Sequence, residues 1–195
     1  MSLVVMALGG EPQQKPDILP ETPPDWRFER IDFPLSFAPD LKYSGFEELR
    51  FAPGMFNAKS DTYFTYLFAV KITNRVSIDA AMLKSFLETY YRGLCKTVAE
   101  GTEFAIDVAK ITAVVEEDHF EAPNARHFHA TLNSYDPFVT GRPLKLHLEM
   151  ILFETGPTDH RICAAVSPKP TDSPVWKLLR SLLGQFLSRT LKSES

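Results

Sequence analysis

Arg126-His127-Phe128-His129-Ala130-Thr131-Leu132-Asn133 and, beyond a connection at 134–143, Leu144-Lys145-Leu146-His147-Leu148-Glu149-Met150 decide the fold. Both stretches alternate with period two, so each presents one apolar and one polar side, as a strand does. Phe128, Ala130 and Leu132 share a side, and so do Leu144, Leu146, Leu148 and Met150. The opposite sides carry His127, His129, Thr131 and Asn133 on one arm, and Lys145, His147 and Glu149 on the other. Two such arms pair antiparallel, and their polar sides then merge into one surface.

Working outward, Ile31, Phe33, Leu35 and Phe37 alternate over a first strand near 28–37, where Pro34 points to a sheet edge or a bulge. A second strand is expected at 46–52, ended by Pro53-Gly54, and a third at 61–73, rich in aromatic and β-branched residues. Ser77 is the expected N-cap of a helix running to about Glu100, with Met82, Phe86, Tyr90 and Leu94 at intervals of four and Gly101 as its C′ residue. Phe104 to Glu117 reads as a strand centred on Val108 to Val115, and Arg161 to Ser167 reads as a last one. Ser173-Pro174 opens a final helix with Val175, Leu178, Leu179, Leu182, Phe186 and Leu191 as its stripe. The order β-β-β-α-β-β-β-β-α predicts an α+β domain. It consists of a single antiparallel sheet of about six or seven strands, with two main helices packed on its apolar face.

Residues 1–25 are expected to be a disordered tail and a Pro-rich linker with no packed structure, and the domain is expected at 26–192 with Trp26 as its first anchor. Leu3 to Leu8 is apolar and precedes Gly9-Gly10, the pattern of a signal remnant, but no basic segment leads it. Pro12, Pro16, Pro20, Pro23 and Pro24 bias the segment between there and Trp26 toward extended backbone.

At 195 residues, a chain of this size buries roughly 70% of its unfolded surface and needs neither metal nor disulfide to fold. The formal net charge of −4 and the lack of any Lys/Arg run argue against nucleic acid as a partner. No apolar run reaches the ~20 residues of a membrane span. Cys95 and Cys163 read either as two buried thiols or, in an exported protein, as one disulfide.

The ladder concentrates the candidate chemistry. His127, His129, His147, Glu149 and, in the connecting loop, Arg142 are the candidate ligand-binding residues. Cross-strand neighbours lie ~5 Å apart at Cβ, so His127, His129 and His147, with Glu149, form an alternative metal-binding set. His127-x-His129 has cupin-like spacing, yet the downstream Glu of a cupin is missing and Lys145 adds a repelling charge. Against the metal stands the ordinary use of such residues on a solvated sheet face. The acidic run Glu116-Glu117-Asp118 reads as a solvated turn. Arg50, Arg92 and Arg142 are cations able to pair with an anionic group, or to form structural ion pairs. There is no Gly-x-Ser-x-Gly elbow and no phosphate-cradling loop between strand and helix. No catalytic residue and no cofactor are implied.

Phe33-Pro34-Leu35-Ser36-Phe37-Ala38-Pro39, Glu48-Leu49-Arg50-Phe51-Ala52-Pro53-Gly54-Met55, Tyr90-Tyr91-Arg92-Gly93-Leu94, Asp136-Pro137-Phe138-Val139-Thr140-Gly141 and Ser167-Pro168-Lys169-Pro170 resemble a group of uncharacterised bacterial proteins, many of them exported. The group has no assigned activity, so no catalytic residue transfers from it. The resemblance implies a periplasmic or secreted setting rather than a cytoplasmic one. The element order is also similar to the Mog1/PsbP-like α+β fold, whose members often act as adaptors or assembly factors. The resulting expectation is a non-enzymatic binding or adaptor domain for a protein or small molecule, with a metal-binding protein or metal-dependent enzyme as the alternative.

Overall fold

The computed structural model describes residues 16–192. The apolar stretch at 3–8 and the start of the Pro-rich segment lie outside them. Seven strands form one sheet: β1 (Arg27–Asp32), β2 (Gly45–Phe51), β3 (Tyr66–Ile72), β4 (Thr112–Asp118), β5 (Ala125–Tyr135), β6 (Pro143–Gly156) and β7 (Asp159–Ser167). Helix α1 (Ala80–Ala99) links β3 to β4, and α2 (Pro174–Lys192) ends the domain. The spatial order is β1-β2-β3-β7-β6-β5-β4, with every neighbouring pair antiparallel. The α+β class and the antiparallel sheet are therefore as the sequence predicts.

The local reasons mostly match the chemistry expected. β1 is an edge strand that stops at Asp32, ahead of the cis Phe33–Pro34 bond. The N-cap of α1 is Asp79 rather than Ser77, because its side chain accepts the Met82 amide at 2.8 Å. Gly101 follows the helix with φ +83, the left-handed conformation that glycine adopts cheaply. Gly93 lets α1 approach the segment before β2: a Cβ there would sit 2.1 Å from the Phe37 carbonyl oxygen. The first part of the expected strand holds a 3-10 turn, Val108–Lys110, so β4 begins later and runs through Asp118.

The helices do not share one face. Phe68, Val70, Ala164 and Val166 pack in one core with Leu83, Phe86, Leu87 and Tyr90 of α1. Their sequence neighbours Leu67, Ala69, Cys163 and Ala165 pack in another with Trp176, Leu179, Leu182 and Phe186 of α2. Alternate residues of a strand point to opposite faces, so the sheet is sandwiched, with α1 on one side and α2 on the other. The continuous apolar runs of β3 and β7 carry this double burial. On α2 the buried stripe is Trp176, Leu179, Leu182, Leu183 and Phe186, which leaves Leu178 off the stripe and exposed. Cys95 belongs to the α1 core and Cys163 to the α2 core; both are free and the sheet separates them.

Packed structure also begins ahead of Trp26. Ile18 and Leu19 are buried in the α2 core. Both oxygens of the fully buried Glu48 hold this segment: Oε1 accepts the amide of Asp17 at 2.8 Å, and Oε2 those of Ile18 and Leu19 at 3.0 and 3.1 Å. Composition alone suggested a free linker, but one strand carboxylate supplies the acceptors that its amides need.

Candidate functional site

The ladder exists as expected, with His129 paired to Glu149, Thr131 to His147 and His127 to Ile151. Its apolar side, Phe128, Ala130, Leu132, Leu146, Leu148 and Met150, is buried in the α1 core. Its polar side lies on the face that α2 covers further along the sheet. Lys145, His147 and Glu149 alternate outward on β6 until Ile151 and Phe153 take over the same side beneath α2. The polar surface thus spans β4, β5 and the first half of β6.

β4 completes it. Because β4 continues through Asp118, Glu116 faces His129 and Asp118 faces His127 in register. Asp118 Oδ2 lies 2.8 Å from His127 Nδ1, and Oδ1 lies 3.0 Å from His129 Nδ1. His129 Nε2 meets Glu116 Oε2 at 2.7 Å. The His127 ring is also flanked by Phe120, at 5.6 Å between centroids. Desolvation alone would lower the His129 pKa, but its hydrogen bonds to Glu116 and Asp118 outweigh that and raise it. The Asp118 pKa is likewise lowered against its own desolvation, by hydrogen bonds to His129 and His127. These two directions keep His129 and Asp118 oppositely charged across the interval between their ordinary values, 3.8 and 6.5. Glu116 and Asp118 were legible as partners only by extending the period-two pattern of Thr112 and Val114 through the acidic run.

The remaining predicted residues are used differently. Glu149 takes a forked guanidinium contact from Arg180 of α2, with Nη2 to Oε1 at 2.6 Å and Nε to both oxygens at 3.0 Å. His147 lies between Thr131 of β5 and Ser167 of β7, and desolvation followed by the Lys145 charge lowers its pKa. It takes no part in the Asp118 cluster. Arg142 is exposed in the β5–β6 loop, roughly 20 Å along β5 from His129 at ~3.4 Å per residue. That loop is organised internally. The buried Asp136 accepts amides from Phe138, Val139 and Thr140, and hydroxyls from Thr140 and Tyr63. Of the other arginines, Arg92 has a structural role, donating to the Ile111 carbonyl at 2.7 Å and pairing with Glu88.

Chemically, the arrangement is an open, charged shelf. His129 is 45% exposed at the side chain, and Val114, on the same side of β4, is 60% exposed as a residue. A wide depression of about 440 Å³, lined by Glu117, Asp118, Phe120 and Arg126 among others, borders it. Among the described residues, no group of three or more His, Cys, Asp or Glu side chains is arranged to hold a metal ion. No described helix is long and apolar enough to cross a membrane. No protein-family model, no curated protein and no solved structure matches the chain.

Proposed function

We propose that the protein is a non-catalytic binding domain and that the β4–β5 shelf is where a protein partner docks. The observation that supports this reading is the juxtaposition of the exposed Val114 with the Glu116–His129–Asp118–His127 network on one open sheet surface. An open surface of paired charges around one exposed valine suits a protein partner, whereas small ligands favour concave apolar sites. Both nitrogens of His129 face carboxylate oxygens, an arrangement that holds charge in place and leaves neither nitrogen aimed at a substrate. An adaptor or assembly-factor role in a periplasmic or secreted setting is the finer form of this proposal. It draws on the likeness in element order to the Mog1/PsbP-like fold and on the resemblance to exported bacterial proteins.

A photo-crosslinking residue at Val114 tests it in cells of the source organism, with one at the exposed Lys96 of α1 as control. A discrete adduct from position 114 alone, lost in Glu116→Lys/His129→Glu, is expected. Identical adduct patterns from both positions would overturn the docking surface. Titration of purified protein with zinc separates the metal alternative: stoichiometric uptake abolished by His129→Ala would replace the docking reading with a metal site at His127 and His129.

A further inference from the structure

A second feature lies on the α2 face but away from the ladder. The segment before β1, strand β2 and the last turn of α2 line a half-open cavity of about 190 Å³. Arg50 of β2 and Arg189 of α2 both line it, together with Thr22, Glu21 and prolines of the segment. The prolines bring no amide donors, so the two guanidiniums dominate the hydrogen-bond donors of the wall.

Neither arginine forms an ion pair. Arg50 Nη1 donates to the Trp26 carbonyl at 3.2 Å, and Arg189 Nη1 to the Leu19 carbonyl at 2.6 Å. No described carboxylate lies within ion-pair distance of either one. Glu21, the one acid in the lining, is exposed, and so is Arg189 on the opposite wall. Arg50 is only 8% exposed, stacks over the Phe28 ring at 4.6 Å, and keeps a buried Nε with no hydrogen-bond partner. That Nε is shielded from solvent and so from the cavity itself; an anion in the cavity acts on the charge of the guanidinium and offsets part of the cost of burying it. Burial lowers the Arg50 pKa, with the Glu48 charge opposing that, the direction expected of a cation short of a close counter-charge.

We propose that the Arg50–Arg189 cavity binds a phosphate group. Two guanidiniums match a dianion in charge, and arginine is the side chain suited to phosphate recognition. The volume is below the roughly 300 Å³ where drug-sized pockets begin, so the ligand is inorganic phosphate or the head of a small phosphomonoester. The site shares no residue with the β4–β5 shelf and stands whether or not that surface docks a partner.

Thermal melting and calorimetric titration of the full chain with inorganic phosphate, glycerol 3-phosphate and, at matched ionic strength, sodium chloride test the site. Phosphate is expected to raise the melting temperature saturably and above chloride. Arg189→Gln is expected to weaken binding about tenfold, the loss of one charge-assisted contact, with an unchanged far-ultraviolet spectrum. Arg189→Lys is expected to retain part of the affinity. Tighter binding of glycerol 3-phosphate than of phosphate identifies a monoester, and the reverse identifies the free ion. A phosphate effect no larger than that of chloride, or one equal in wild type and Arg189→Gln, would overturn the proposal.

Discussion

Glu47 lies beneath α1 with its carboxyl group fully buried, accepting from the Tyr90 hydroxyl at 3.3 Å while Oε2 has no partner. Desolvation, against the Tyr90 hydrogen bond and with a further push from Glu29, raises its pKa to about 8. Below its ordinary value of 4.5, Glu47 is neutral whether the chain is folded or not. Above that value the unfolded carboxyl ionises while the folded one keeps its proton, so stability falls as pH rises toward 8, by at most about 1.4 kcal/mol per pH unit. Glu47→Gln removes this slope. Its melting temperature relative to wild type is expected to climb between pH 5 and pH 8, and a difference independent of pH would show that Glu47 ionises normally in the fold.

Among the elements, the strands and helices were legible wherever one periodicity governed a stretch. β5 and β6 keep their alternation, and α2 opens at Pro174 as its cap pattern requires. The segment before β1 was not legible. Its order comes from Glu48, about 30 positions away, and nothing local announces a distant acceptor. In Glu48→Gln, an amide nitrogen replaces one of the two oxygens facing the strap. Cleavage after Glu21 by a glutamate-specific protease is expected to accelerate about tenfold while the helical signal stays intact. Unchanged cleavage would mean that burial of Ile18 and Leu19 alone holds the strap. The candidate site divides in the same way. His127 and His129 were readable from their own strand. Arg180 on Glu149 depends on where α2 settles, and the Arg50–Arg189 cavity joins a strand and a helix far apart in sequence.

For the whole molecule, the decisive fact is which strands have cover on both faces. Tyr66 to Val70 of β3 and Ile162 to Ser167 of β7 are buried without a break, whereas β4 alternates between buried and exposed at a sheet edge. The sequence contained that signal as unbroken apolar runs. A run of that kind reports double burial without saying which helix supplies each side, and for that reason the expectation of two helices on one face gives way to one helix on each. Native-state hydrogen exchange is expected to be slowest at β3 and β7 and fastest at the edge strands β1 and β4. If β4 amides exchanged as slowly as those of β7, the β4–β5 shelf would not be an open edge.

The seam between β3 and β7 has a consequence for how the protein is made. Tyr66 pairs with Val166, roughly 100 residues later in the chain. During synthesis at about 5–20 residues per second, β3 therefore waits about 5–20 s for its partner. Throughout that interval β3 lacks β7 along one edge, and Leu67 and Ala69 lack α2 against them, while Phe68 and Val70 have only α1. The nascent chain carries a sticky, half-built sheet until nearly the last strand leaves the ribosome. A chaperone that shields hydrophobic strands would act on this protein during translation rather than after it.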